Sequence, residues 1–380
     1  MVLYNTLQKK YDIAVGKVFS TFLLLYSFNV FFQTIVEKNF FSKYSTYMIA
    51  IGFAIVLLKY FNILKGAFGR IVIDELLLLL LLILALLRYN GYGNDILKRC
   101  IWTFVFGVPM YELFKKVNEI KVVLKKTEKA VFLITLLMLG MIVIMGNQKS
   151  EYNMTLGYAL LYPTLFLLSN IKNNEKKYTM PLLLDIILIV FYGSRGPLLC
   201  IGVFLVFYII QIEKSIPKRV MISITSLCIL VIVIFFHNEI LIILGDFCER
   251  IGISARTIRI LLEGKMLGDS GRGLLYKETW SFIKEKPILG WGIAGDIVCM
   301  EMYPHFIFLE ILLDFGIFLG AIISGIIVLK IIRSLIKCKN EKKEYILLLC
   351  CGFVPLLVSH SYLQAPLFWI LLGASSRKEY

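Results

Sequence analysis

Two arginines beside glycines and one histidine are the residues of this sequence that could do chemistry together. Arg195 lies in a Gly-Ser-Arg-Gly tetrapeptide, Arg272 lies in Gly-Arg-Gly, and His305 opens a long apolar stretch. Flanking glycines let a backbone approach a large anion, and the guanidinium fork suits phosphate oxygens. Imidazole accepts a proton near neutral pH, which makes His305 a candidate general base. The set favours a phosphorylated substrate and a hydroxyl nucleophile.

Each of these residues also has a plainer interpretation. A lone histidine at a helix end is more often a cap or an interface residue, and His360 competes with His305 for the role of base. The Gly-Arg-Gly around Arg272 can be an ordinary turn. Arg256 and Arg259, about one helical turn apart, offer a second cationic group, although a solvated helix face is commoner. The sequence alone leaves these alternatives open.

The composition predicts a helical membrane protein. Of 380 residues 59% are hydrophobic and 18% are charged, with a mean hydropathy of +0.80, so a soluble domain could not hide the apolar surface. Apolar blocks long enough to cross a bilayer as helices recur along the chain. The net charge of +15 lies mostly in short loops between these blocks, where membrane orientation explains it, so no nucleic acid partner is expected.

We predict an all-α, polytopic protein with about twelve transmembrane helices in a single transmembrane domain, residues 1–380. The predicted spans are 18–36, 47–64, 71–87, 101–117, 130–146, 155–169, 179–192, 197–212, 220–236, 305–329, 345–359 and 362–373. Lysine-rich loops alternate with poorer ones so that both termini are cytoplasmic. The connection 237–304, with eight basic and nine acidic residues, is the large extracytoplasmic loop before the tenth helix.

Several further residues belong to this predicted outer region. Residues 274–283 have the pattern of a short amphipathic helix with Trp280 suited to the lipid interface. Arg195 and Asp314 have similar predicted depths, about 22 and 24 Å above the cytoplasmic edge, which predicts a structural ion pair between them. The alternative is that Arg195 snorkels or joins two helices. Trp280 and Glu310 are candidate substrate-binding residues, and Glu310 is also a candidate to orient the site.

The sequence lacks the residue patterns typical of metal and cofactor sites. The outer side carries no paired metal-ligand motif, and no phosphate-binding loop of the ATPase kind occurs, so neither a metal nor a cofactor is expected. Cys248 and Cys299 both fall in the large loop, and a disulfide between them is possible.

The motifs around these residues resemble those of a known family. Gly-Ser-Arg-Gly around Arg195, Gly-Arg followed by Trp280, Gly-Trp-Gly at 290–292, and Pro-His at His305 followed by Leu-Glu are together similar to the O-antigen polymerase and O-antigen ligase family of bacterial membrane glycosyltransferases. The motifs cover residues 193–320. Phe306 departs from the family, which often has Asn after the histidine, and this indicates a different acceptor.

The resemblance implies a metal-independent glycosyltransferase in the cytoplasmic membrane of a bacterium. It would join undecaprenyl-pyrophosphate-linked oligosaccharide donor and acceptor into capsule, exopolysaccharide or O-antigen at the outer face. Arg195 and Arg272 would hold the pyrophosphate, Arg256 or Arg259 would assist, and His305 would be the base. Partners would be membrane lipid, a chain-length regulator and a flippase.

Two alternatives to a polymerase remain. One is an O-antigen-ligase-type transferase that moves finished glycan to another acceptor. The other is a lipid-linked glycan transporter or flippase, for which the intramembrane Asp185 and Asp74 would count. Charges gathered at the outer end, rather than near the midplane, favour the enzyme over the transporter.

Overall fold

The computed structural model describes residues 2–35, 40–89, 91–145, 154–171, 176–191, 195–212, 272–300, 302–338 and 340–377. These residues form helices and turns, and no strand occurs among them, which confirms the all-α prediction for this part of the chain. The predicted span 220–236, Arg256, Arg259 and Cys248 lie outside the described residues.

The helices before the large loop are α1 Val2–Ile35, α2 Phe40–Lys59, α3 Phe61–Arg88, α4 Gly93–Trp102, α5 Val108–Lys115, α6 Ile120–Lys125, α7 Glu128–Met145, α8 Met154–Asn170, α9 Thr179–Phe191 and α10 Arg195–Ile212. Later helices are α11 Arg272–Glu285, α12 Gly295–Met300, α13 Ile307–Lys337, α14 Lys342–Gly352 and α15 Pro366–Ser375. A π-helical turn, Thr103–Gly107, joins α4 to α5. Short 3-10 turns lie at Lys176–Tyr178, Val354–Leu357 and Tyr362–Gln364.

Two of the described helices are long and apolar enough to cross a membrane, α1 over Thr6–Thr34 and α13 over Ile307–Lys337. Other apolar helices are shorter, such as α9 and α15. The predicted span 101–117 is helical without a break as far as Lys115, with the π-helical turn inside it, whereas the α-helix in 345–359 ends at Gly352. The count of twelve helices and their orientation therefore stay predictions.

The chain divides into two compact units. Unit 1 consists of Met1–Phe22, Met48–Thr127 and Gly271–Tyr380, and unit 2 consists of Leu23–Tyr47 and Glu128–Ser270. In unit 1, α15 packs on α5 and α14, while α11 and α12 pack on α13. In unit 2, α8 packs on α7, α9 and α10. Most of the described candidate residues belong to unit 1, whereas Arg195 belongs to unit 2.

Helix α13 is broken at Gly316, and a loop replaces the missing hydrogen bonds. Gly316 has φ 78° and ψ 174°, which is open essentially to glycine alone. The amide of Ile317 donates to the carbonyl of Pro287 at 2.7 Å instead of to Leu313 one turn earlier. The freed carbonyl of Leu313 accepts from the amide of Trp291, and that of Asp314 accepts from Gly292, both at 2.8 Å. Backbone hydrogen bonds thus join the loop 287–292 to the helix on both sides of the break.

Candidate active site

His305 lies just before α13 in a strained and well-fixed position. Its φ of 57° is in the left-handed region that residues other than glycine seldom adopt. The imidazole is half-buried, and the ring of Tyr303 lies 4.3 Å from it, centroid to centroid. The Nδ1 atom lies 3.2 Å from the main-chain carbonyl oxygen of Ser359. Strain of this kind persists only where surrounding contacts determine the conformation.

The contact with Ser359 decides which ring nitrogen carries the proton. A carbonyl oxygen can only accept a hydrogen bond, so Nδ1 of His305 must be the donor. The neutral ring then has its lone pair on Nε2, which is the state a general base requires. Burial of the ring is the largest cause that lowers the pKa of His305, and the charges of Arg272 and Arg99 lower it further, against an opposing effect of the Ser359 carbonyl. The neutral form is therefore favoured at pH 7.

Arg272 begins α11, on the face of that helix that meets the His305 segment. Tyr276, one turn further along α11, packs its ring 6.0 Å from the ring of Phe306. Residues four apart share a helix face, so Arg272 lies on the same side as this contact. Its charge is close enough to lower the pKa of His305. The structure thus brings together two residues that the sequence predicted separately, with Phe306 itself forming part of the contact.

Trp280 lies on the same helix and is 41% exposed. The prediction of a helix over 274–283 is confirmed, since these residues form part of α11, which buries Thr279 and Ile283. Trp280 is therefore free to contact lipid or substrate, although no contact between it and His305 is found among the described residues.

Glu310 and Asp314 lie one turn apart on α13, and both are buried. Glu310 accepts hydrogen bonds from the hydroxyl of Ser361 and, at 3.3 Å, from the amide of Tyr362. Asp314 accepts from the hydroxyl of Tyr362 at 2.6 Å and from the amide of Gly295 at 3.1 Å. Neither carboxylate contacts His305 directly. They hold the turn 359–362, and that turn supplies the carbonyl that orients the imidazole.

A buried ion pair, Arg99 with Asp296, completes this region. The Nη2 atom of Arg99 lies 3.2 Å from Oδ2 of Asp296, and Nη1 donates to the side chain of Gln364 at 3.1 Å. The guanidinium also lies 5.1 Å from the centre of the Tyr303 ring. Arg99 therefore connects α4 and α12 to the aromatic residue that packs on His305.

The sequence gives little indication of the residues that hold His305 in place. The sequence drew attention to the turn 359–362 only through His360, whose pKa is lowered by burial to about 4. A pKa that low makes His360 a weak base. Arg99 ends a short basic run beside an apolar segment, and neither Arg99 nor its partner Asp296 belongs to a sequence motif. Only the tertiary contact reveals the pair.

Arg195 begins α10 in unit 2, and its side chain lies outside the described part of the structure. A Cβ atom at the following Gly196 would collide with the hydroxyl of Tyr158, so α10 begins in close contact with α8. The predicted pair of Arg195 with Asp314 stays a prediction, as do the roles of Arg256 and Arg259. The disulfide between Cys248 and Cys299 also stays a prediction.

No group of three or more histidine, cysteine, aspartate or glutamate side chains that could hold a metal ion occurs among the residues that the structure describes. The charged groups that lower the pKa of His305 are the guanidinium groups of Arg272 and Arg99. Arginine cations can hold a pyrophosphate without a metal ion, through the forked donors that match phosphate oxygens.

Comparison with known proteins identifies one family. The model of the O-antigen ligase family matches residues 180–324. This stretch contains the predicted site residues from Arg195 to Asp314, though not the competing base His360, and the predicted resemblance is confirmed over it. No curated protein and no solved structure matches the chain significantly.

Proposed function

We propose, because residues 180–324 match the O-antigen ligase family, that this protein is a membrane glycosyltransferase that polymerises lipid-linked oligosaccharides. Donor and acceptor would be undecaprenyl-pyrophosphate-linked repeat units, and the product would be a surface polysaccharide such as capsule, exopolysaccharide or O-antigen. The observation that carries the proposal is the position of His305, whose Nδ1 atom lies 3.2 Å from the Ser359 carbonyl oxygen and which has Arg272 on the adjacent helix face.

The proposed reaction is a displacement at the anomeric carbon of the donor. Nε2 of His305 takes the proton from an acceptor hydroxyl while the oxygen forms a bond to the anomeric carbon. The bond from that carbon to the pyrophosphate oxygen breaks, and its electron pair leaves on the pyrophosphate. Arg272 and Arg195, assisted by Arg256 or Arg259, hold the departing charge. Such electrostatic holding and alignment are the main contributions an enzyme must make when the leaving group is already good.

The proposal includes the membrane arrangement predicted from the sequence. About twelve spans place both termini in the cytoplasm and the loop 237–304 outside, at the level of the outer head-groups. The lipid-linked donor would then be supplied by a flippase, and chain length would be set by a separate regulator. Impermeant thiol reagents applied to single-cysteine variants near Arg272 test this orientation, since labelling from the cytoplasmic side alone would contradict it.

The direct test uses purified full-length protein and a defined undecaprenyl-pyrophosphate oligosaccharide. We expect wild type to form a ladder of longer lipid-linked products and His305→Ala to form none. Lys277→Ala, which changes an exposed residue on α11, is the matched control and should behave as wild type. A His305→Ala protein that is folded and still forms the ladder would overturn the proposal.

A ligase is the second candidate, since a match to the O-antigen ligase family supports a ligase-type activity as well as a polymerase-type one. A ligase would transfer a finished glycan to a different carrier. The two activities differ in what a deletion strain accumulates, which mass spectrometry of its lipid-linked glycans measures. Single repeats on lipid indicate a polymerase, and long unattached chains indicate a ligase.

A further inference from the structure

Two cationic residues from distant parts of unit 1 meet over one aromatic ring. Arg88 ends α3, and its guanidinium carbon lies 5.4 Å from the centre of the Tyr89 ring. Lys286 follows α11, and its Nζ atom lies 5.5 Å from the same centre and 3.4 Å from the Tyr89 hydroxyl. The Nζ atom also lies 3.3 Å from the centre of the Trp291 ring. Aromatic faces thus hold both cations in place.

The two cations have many donors still available. Arg88 donates to the carbonyl of Gly290 at 3.4 Å, and Lys286 donates to Tyr89. A guanidinium has five N–H donors and an ammonium three. Among the residues that the structure describes, neither cation is within 4.0 Å of a carboxylate oxygen. Burial and the neighbouring Arg88 charge lower the pKa of Lys286, against smaller opposing effects of Cys299 and Glu285. The pair is thus net positive, and an anion beside it would relieve the repulsion.

The surroundings of the pair are apolar and exposed. Leu87, next to Arg88, is 77% exposed, and Ile288 and Leu289, just after Lys286, are 68% and 78% exposed. Residues 76–87 of α3 are apolar without interruption. Large aliphatic side chains at that exposure suit contact with lipid rather than water, and basic side chains at the end of an apolar helix lie at head-group level. The loop that carries Ile288 is fixed to the break in α13 by backbone hydrogen bonds, so the position of the pair is fixed too.

We propose that Arg88 and Lys286 bind the phosphate of an anionic phospholipid, whose acyl chains lie against Leu87, Ile288 and Leu289. The exposed aliphatic residues favour a lipid over a free phosphate ion, which would give them no role. The lipid is distinct from the glycan donor, whose pyrophosphate is assigned to Arg272 and Arg195. The proposal does not depend on the transferase assignment.

The experiment is native mass spectrometry of the purified full-length protein with phosphatidylglycerol, phosphatidylcholine or inorganic phosphate. We expect wild type to retain phosphatidylglycerol over phosphatidylcholine. The pair Arg88→Gln and Lys286→Gln should lose that preference, by roughly fivefold for each residue, which is the effect expected of a basic side chain at an anionic membrane surface. The matched control is Lys98→Gln with Lys277→Gln, which removes two exposed positive charges that are distant in sequence from Arg88 and Lys286 and should keep the preference.

A second measurement keeps the proposal testable if the double variant does not fold. Lys286 lies on the face of Trp291, so brominated phosphatidylglycerol should quench the Trp291 fluorescence, and the Trp291→Phe variant should lose that part of the quenching. Equal retention of both phospholipids would overturn the proposal, as would an equal loss in the control pair. Inorganic phosphate bound without lipid preference would indicate a free-anion site instead. Displacement by the glycan donor, with transfer lost in the double variant, would place the pair in the substrate site and overturn the proposal as well.

Discussion

The carbonyl oxygen of Ser359 and the Nδ1 atom of His305 lie 3.2 Å apart, joining two segments that are distant in sequence. The turn that provides this carbonyl is itself held by Glu310, through the hydroxyl of Ser361 and the amide of Tyr362. A buried carboxylate therefore positions the imidazole without touching it. Such supporting contacts fix the orientation and tautomer of a functional group, and they can be tested separately from it.

Glu310→Ala should lower kcat by about 10- to 100-fold while changing KM less. The substitution leaves the Ser361 hydroxyl and the Tyr362 amide without their acceptor, at a cost of roughly 1–3 kcal/mol for each buried group, and each 1.4 kcal/mol that reaches the transition state is tenfold in rate. Glu310→Gln keeps an acceptor oxygen and should retain most of the activity. Steady-state transfer assays on purified protein measure both. Equal kcat in Glu310→Ala and wild type would show that the turn does not position His305.

The pH dependence of the transfer rate should change when the positive charge of Arg272 is removed. Because burial and the charges of Arg272 and Arg99 lower the pKa of His305, the base stays neutral below the ordinary value of 6.5, and the rate should fall only at more acidic pH. Removing the positive charge in Arg272→Gln raises this pKa, so the acid limb of the profile should move to higher pH. The maximal rate should also fall, so each profile is normalised to its own maximum.

Lys277→Gln is the control for this prediction, because Lys277 is exposed on the same helix and does not contribute to the shift of His305. Its acid limb should coincide with that of wild type. If the limb of Arg272→Gln stays in place, Arg272 does not act on the imidazole.

Gly316→Ala should unfold or strongly destabilise unit 1. The backbone at Gly316 has a positive φ, and a Cβ atom there would collide with the carbonyl of Ile288. The strain alone costs of order 1–3 kcal/mol, and the collision adds to it because its partner is backbone. Gly325→Ala on the same helix meets nothing within 4 Å and should be neutral or slightly stabilising. Thermal unfolding in detergent compares the two. A Gly316→Ala protein as stable as Gly325→Ala would show that the break in α13 is not needed.

Breaking the Arg99–Asp296 pair should cost about 3–5 kcal/mol, since Asp296→Asn leaves a buried guanidinium without its counter-charge. The neighbouring pair of Lys98 and Asp95 is the matched control, with an N···O distance of 2.8 Å and both side chains largely exposed. Lys98→Gln should cost less than about 1 kcal/mol. Unfolding midpoints of the two variants measure the difference. Similar midpoints would mean that the buried pair does not stabilise the fold.

The sequence predicted those features that residue type and hydropathy can indicate. The apolar α13, the helix around Trp280 and the pairing of Arg272 with His305 in one region follow from patterns of side chains. The break at Gly316 could not be predicted, because an apolar run continues through it and hydropathy does not depend on φ. Arg99 with Asp296, and Glu310 with Ser361, could not be predicted either, since such partners are chosen by tertiary packing and not by spacing.

The backbone hydrogen bonds between loop 287–292 and α13 have a dynamic consequence. The amides of Trp291, Gly292 and Ile317 all donate across the break, so none can open to solvent without releasing the others. The amide hydrogens at these three positions should exchange together, because a single opening event separates loop 287–292 from α13. A displacement of the loop would therefore also move the backbone of Leu313 and Asp314.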